Sequence, residues 1–186
     1  MSYINLYNYL QTLLWAAGLI FMLVTFISPD LTQYLNKYFI IIQSAMALDI
    51  VHAILRLVRG NIFATILQVG SRIYVVWMIV SQQDSPNIFN YIMYTAWSLA
   101  EVIRYQYYIH KPNEGPLLFL RYNSFLILYP MGVLTGEMPL IYQNYQKTNN
   151  IVNLVILFLY IPFFPYLYIH MLSLRKKKSQ ESKKTN

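Results

Sequence analysis

Of 186 residues, 57% are hydrophobic and only 11% charged, with a mean hydropathy of +0.39. A water-facing domain carries about 25% charged residues, so a normal aqueous surface is excluded and a membrane protein is the reading. The absence of cysteine excludes disulfides, thiolate metal sites and cysteine nucleophiles.

The chain opens on "MSYINLYNYL", which has no basic n-region and no small-residue cleavage site, so no cleaved signal peptide is expected. Crossing the hydrocarbon core takes about 20 mainly apolar residues. Six such stretches follow in order: Tyr7–Ile27, Tyr38–Leu57, Ile62–Val80, Ile88–Ile109, Leu117–Glu137 and Ile151–Met171. The segments between them, such as "SPDLTQ", "RGN" and "HKPNEGP", hold the Pro, Asn, Asp and Gly of turns. They are too short for a soluble domain. The expected fold is an all-α membrane protein, a six-transmembrane-helix bundle over residues 1–174 with a basic tail over 175–186.

Six of the 14 Lys/Arg lie in the tail "LRKKKSQESKKTN". A basic tail after an apolar span is the usual cytosolic flank, so the net charge of +7 points to membrane topology, with no nucleic acid as partner. An even number of spans then puts both termini in the cytosol, together with Arg59 and Lys111 in the loops 58–61 and 110–116. The final "KKTN" is similar to the dilysine retrieval signal of endoplasmic-reticulum membrane proteins. His52, His110 and His170 form no metal-ligand spacing and no Gly-rich phosphate loop occurs, so neither metal nor cofactor is expected.

Eight ionisable residues fall within or at the ends of the apolar stretches: Asp49, His52, Arg56, Arg72, Glu101, Arg104, Arg121 and Glu137. Such a charge at a helix centre costs about 2.5–3.5 kcal/mol on insertion scales, so these groups are expected to face inward. Asp49, His52 and Arg56 share one helix face by spacing, as do Glu101 and Arg104; Asp49 and His52 are expected to hydrogen-bond. Ion pairs that hold helices together would explain some of them. Eight groups exceed what a scaffold needs, and a polar cavity is the better account. Pro162 and Pro165 are expected to kink the last helix.

The stretch "LRYNSFLILYPMGVLTGE", with "QSAMALDIVHAILRLVRGN", "TILQVGSRIYVVW" and "WSLAEVIRYQYY", resembles the very-long-chain (3R)-3-hydroxyacyl-CoA dehydratases, also called protein-tyrosine-phosphatase-like A proteins. The resemblance runs from about Gln43 to Tyr142. It implies an endoplasmic-reticulum enzyme that removes water from a 3-hydroxyacyl-CoA, the third step of fatty-acid elongation. It also implies partnership with the elongase, ketoacyl-CoA reductase and enoyl-CoA reductase of that cycle. Phosphatase chemistry of the cysteine type, which the older family name evokes, is closed to a chain without cysteine.

In that family the catalytic pair follows Tyr-Pro-x-Gly-x-x-x-Glu. Tyr129, Pro130 and Gly132 match; Glu137 falls eight residues after Tyr129 where the pattern has seven. Seven residues is nearly two turns, and an eighth adds about 100° of rotation, turning Glu137 away. Pro130 lacks a backbone donor and Gly132 and Gly136 leave the chain pliable. A single π-bulge over this segment is therefore expected to absorb the extra residue.

The resemblance implies Tyr129 and Glu137 as the catalytic pair, and the chemistry of a buried carboxylate and a weakly acidic phenol assigns Glu137 as base for the α-proton and Tyr129 as proton donor to the departing hydroxyl, with the roles exchangeable. Positioned groups of this kind give about 10²–10⁴-fold each. The CoA phosphates would stay at the cytosolic mouth, where the arginine fork suits phosphate. The residues expected to bind substrate are Arg121, Tyr122, Arg104, Glu101, Arg72 and Arg59. For Arg56 and Arg59, snorkelling to the interface explains the position equally well. Two other functions stay open: a catalytically inactive member acting as a membrane scaffold for elongation enzymes, favoured by the shifted glutamate, and a small transporter, which leaves the Tyr-Pro-x-Gly motif unexplained.

Overall fold

The computed structural model describes residues 2–58 and 60–185. Arg59 lies outside the described residues, as do the side chains of 181–185, and with them those of the lysine pair at 183 and 184. Among the described residues all regular structure is helical. The chain runs through α1 (Tyr3–Ile27), α2 (Thr32–Ala45), α3 (Leu48–Ile54) and α4 (Ile62–Tyr74), the last prolonged by a π segment, Val75–Ile79. It continues with α5 (Ile88–His110), α6 (Pro116–Asn123) and α7 (Phe125–Gly132), the last prolonged by a second π segment, Val133–Glu137. It ends with α8 (Met138–Thr148) and α9 (Ile151–Thr185).

Five helical stretches are long and apolar enough to cross a membrane: Tyr3–Ile27, Pro29–Ile54, Ile62–Gln82, Phe125–Thr148 and Ile151–Gln180. The remaining long helix, α5, has 23 residues and hence a length of about 34 Å, but its composition is too polar to match them. The reason lies in its position. It packs against α1, α6, α7, α8 and the second π segment, and Asn90, Ser98 and Glu101 on it are buried. A helix enclosed by other helices needs no lipid-compatible surface.

Around it polar residues share the buried side with apolar ones, and the outer side is apolar. On α1 the buried stripe contains Asn8, Gln11, Thr12 and Thr25, whereas Leu13, Ile20, Leu23 and Ile27 point outward, Ile27 being 83% exposed. A continuous outward apolar surface of this kind marks contact with lipid.

Three boundaries differ from the sequence reading. The expected second span is interrupted after Ala45 and resumes as α3. The expected fifth span divides at Ser124, so Arg121 and Tyr122 lie on α6 and the spanning stretch starts at Phe125. The last helix carries Pro162 and Pro165 inside it and extends through the basic tail to Thr185.

Candidate active site

The second π segment is where the extra residue goes. The amide of Met138 donates to the carbonyl of Val133, five residues back instead of four. Pro130 and two glycines supply the local pliability. A second constraint comes from α5: a Cβ on Gly136 would lie 2.8 Å from Met93 Cβ and 3.0 Å from its Cα, and one on Gly132 would lie 3.2 Å from Ala96 Cβ. Two small residues four apart thus let the segment sit directly on α5, the close approach favoured between membrane helices. The widened turn returns Glu137 to the side of Tyr129, and both side chains line the same cavities.

Glu137 is 3% exposed. Trp97 Nε1 donates to its Oε1 at 2.8 Å, and the Tyr160 hydroxyl donates to its Oε2 at 2.6 Å. Each carboxylate oxygen is therefore held from a different helix, α5 and α9. Tyr129 is fixed by ring stacking, 5.0 Å between centroids and 3° between planes with Phe164. Among the described residues its hydroxyl makes no hydrogen bond, which leaves the donor available to a ligand.

Two chambers meet at this pair. One, of about 250 Å³, is walled by apolar residues of α4 and α9, including Ile66, Ile156, Phe163 and Leu167. The other, of about 400 Å³, contains Arg104, Arg121, Tyr107, Tyr108 and Tyr122 and reaches Asn61 and His170. Gln68, Arg72, Tyr129, Val133 and Glu137 line both. The junction is thus the place where apolar and polar walls change over.

Behind the polar chamber the charges form a chain. Arg72 Nη1 donates to Glu101 Oε1 at 2.6 Å, and its guanidinium lies 4.9 Å from the Trp97 ring centre. Arg104 Nε lies 2.6 Å from Glu101 Oε2, an ion-pair contact without hydrogen-bond alignment. Arg104 Nη2 donates to Asp49 Oδ2 at 2.5 Å. Tyr105 and Tyr7 donate to the two oxygens of Asp49 at 3.0 and 2.8 Å. The residue pairing of Glu101 with Arg104 follows the expected spacing. The expected Asp49–His52 bond does not occur among the described residues: Asp49 turns to α5 and α1, and His52 Nε2 pairs with the Tyr3 hydroxyl at 3.1 Å. Tertiary partners on neighbouring helices displace the neighbour on the same face.

Of the six residues expected to bind substrate, Arg121, Tyr122, Arg104, Glu101 and Arg72 line the polar chamber, and Arg59 is outside the described residues. They divide in chemistry. Arg72 and Arg104 are neutralised by Glu101 and Asp49. Arg121 has no carboxylate partner among the described residues; its guanidinium lies 5.6 Å from the Tyr108 ring centre, with Nη2 at 3.4 Å from that hydroxyl. Arg56 is exposed at the end of α3 in a left-handed conformation, φ 54°, away from both chambers. Sequence reasoning missed Trp97 and Tyr160. One of 3 tryptophans and one of 18 tyrosines carry no local signal for a contact made across helices.

Comparison with known proteins identifies the family. The family described as "Protein tyrosine phosphatase-like protein, PTPLA" matches residues 43–181. The very-long-chain (3R)-3-hydroxyacyl-CoA dehydratase hpo-8 of Caenorhabditis elegans is 34% identical, over 95% of this chain and 94% of its own length. The very-long-chain (3R)-3-hydroxyacyl-CoA dehydratase PASTICCINO 2 of Arabidopsis thaliana is 33% identical, over 98% and 95%. A protein of Schizosaccharomyces pombe named as a probable member of the same enzyme class is 30% identical, over 98% and 95%. No solved structure matches. The match over residues 43–181 and the identity of 30–34% over nearly the full length place this chain in the PTPLA family.

Proposed function

We propose that this protein dehydrates (3R)-3-hydroxyacyl-CoA to trans-2-enoyl-CoA, the third step of a fatty-acid elongation cycle. The observation that carries the reading is the position of Tyr129 and Glu137 at the junction of an apolar and a polar chamber. The substrate has the same division: an alkyl chain on one side of the reacting carbons, a thioester and CoA on the other.

The chain lies in the apolar chamber and the CoA arm in the polar one. Glu137 takes a proton from C2, the electron pair forms the C2–C3 double bond, and the C3–O bond breaks. Tyr129 donates its proton to the departing hydroxyl, which leaves as water; proton return from Glu137 to Tyr129 restores both groups. Trp97 and Tyr160 hold the carboxylate still while it changes charge, so little reorganisation is needed. Arg72 is the cation nearest the junction and supports negative charge on the thioester oxygen. Arg121 and Tyr122, further out, receive the CoA phosphates, for which the unneutralised guanidinium of Arg121 is suited.

The membrane setting follows the same reading. The five apolar stretches and α5 together make six spans over residues 1–174. The basic tail 175–186 lies in the cytosol with the N-terminus, and "KKTN" retrieves the protein to the endoplasmic reticulum. The other enzymes of the cycle, which make its substrate and consume its product, are its partners there. Incubation of purified protein with (3R)-3-hydroxyacyl-CoA tests the function: trans-2-enoyl-CoA should accumulate, and its absence would favour the inactive scaffold.

A further inference from the structure

Gly70 sits inside α4 and lines the apolar chamber but not the polar one. Glycine within a helix is less favourable than alanine, so its presence there calls for a reason. A left-handed backbone does not supply one: the positive-φ residues of the chain do not include Gly70. Close helix approach does not supply one either. A Cβ at Gly70 would meet no atom within 4 Å, whereas one at Gly136 would collide with Met93. What the glycine leaves is space in the chamber.

The position of that space is informative. Leu67, Gly70 and Tyr74 follow one another at helical spacing and all three line the chamber. Gln68 and Arg72, rotated away from them on the same helix, belong to the junction. Tyr74 stands one turn beyond Gly70, and its hydroxyl donates to Asn153 Oδ1 at 2.7 Å, fixing a wall of the chamber away from the polar side.

We infer that Gly70 is a specificity-determining position: its missing side chain keeps the chamber wide enough for the alkyl chain of a long acyl thioester to pass Leu67 and reach Tyr74. This rests on the reading of the chamber as the acyl site. A branched side chain at 70 narrows the chamber beside the junction, and the loss grows with the length of chain that must lie beyond it.

Two measurements test this. In the first, Gly70→Ala and Gly70→Leu are compared with the parent on a medium-chain and a very-long-chain 3-hydroxyacyl-CoA. Gly70→Leu should lower kcat/KM for the longer substrate relative to the shorter by roughly tenfold or more, the scale set by one or two methylenes in an apolar pocket, with Gly70→Ala between. Equal loss on both substrates, or none on either, overturns the inference. The second measurement does not need turnover. The chain has no cysteine, so Gly70→Cys introduces a unique thiol. A very-long-chain 3-hydroxyacyl-CoA should slow its alkylation by a maleimide, while free CoA should not, and neither should protect Val155→Cys on the outward, 52% exposed face of α9. Failure of the acyl-CoA to protect Gly70→Cys overturns the inference. Protection without turnover in the parent would retain it and reject the dehydratase.

Discussion

The hydroxyl of Tyr160 donates to Oε2 of Glu137 at 2.6 Å, across two helices 23 residues apart in sequence. With Trp97 on the other oxygen, it leaves the carboxylate a single orientation. In the proposed reaction, a carboxylate so held does not have to be aligned by the substrate. Tyr160→Phe should therefore lower kcat by about tenfold or more, the scale of one lost hydrogen bond to a charged group, with a smaller change in KM. Its kcat–pH profile should shift relative to the parent, since a hydrogen bond to the Glu137 carboxylate is lost. A parent-like profile with a purely proportional loss of folded protein would reduce Tyr160 to a packing residue.

The π segment gives a second test. Deleting Thr135 restores the spacing of seven residues between Tyr129 and Glu137 and lets α7 continue into α8 as a regular helix. Because the widened turn already brings the two side chains to one cavity, the deletion should keep turnover within about tenfold of the parent, a shift of about 1.4 kcal/mol in the barrier. A gain from no activity to measurable activity would show instead that the pair is misaligned in the parent. Gly136→Leu should fail in either background, since its Cβ alone would lie 2.8 Å from Met93.

Asp49 is 8% exposed and accepts from Arg104, Tyr105 and Tyr7. Asp49→Asn removes the charge and leaves Arg104 with Glu101 alone. Removing one partner of a buried pair destabilises by about 3–5 kcal/mol. The variant should show a clear drop in thermal stability in detergent and in membrane accumulation. Unchanged stability would mean that the chain of charges from Arg72 to Asp49 is maintained for substrate and not for the fold.

Topology is checked with glycosylation acceptor sites. Six spans with cytosolic termini predict modification of a site inserted in the turn near Pro29 or near Asn149 and none at the C-terminus. Modification of the C-terminal site would reverse the orientation and remove the retrieval role of Lys183 and Lys184.

Much of this arrangement could be read from the residues, and the omissions have a common cause. Most helix positions followed from apolar length, and the bulge followed from one extra residue beside Pro130, Gly132 and Gly136, because rotation per residue is a local property. Glu101 and Arg104 paired as their spacing requires. By contrast, Asp49 chose Arg104 over His52, and Glu137 chose Trp97 and Tyr160; those choices depend on which helices adjoin. The break at Ser124 was also hidden. There "LFLRYN" is apolar enough to join the following span by hydropathy, but Arg121 and Tyr122 are drawn to the polar chamber.

The most direct measurement is turnover of a (3R)-3-hydroxyacyl-CoA by purified Tyr129→Phe and Glu137→Gln beside the parent. Each substitution keeps shape while removing one hydroxyl or one charge, so each protein should accumulate at parent levels. The account predicts that each loses about a hundredfold or more in kcat, the scale of acid–base catalysis. Parent-like turnover by Glu137→Gln would contradict it and move the search for the base to Glu101.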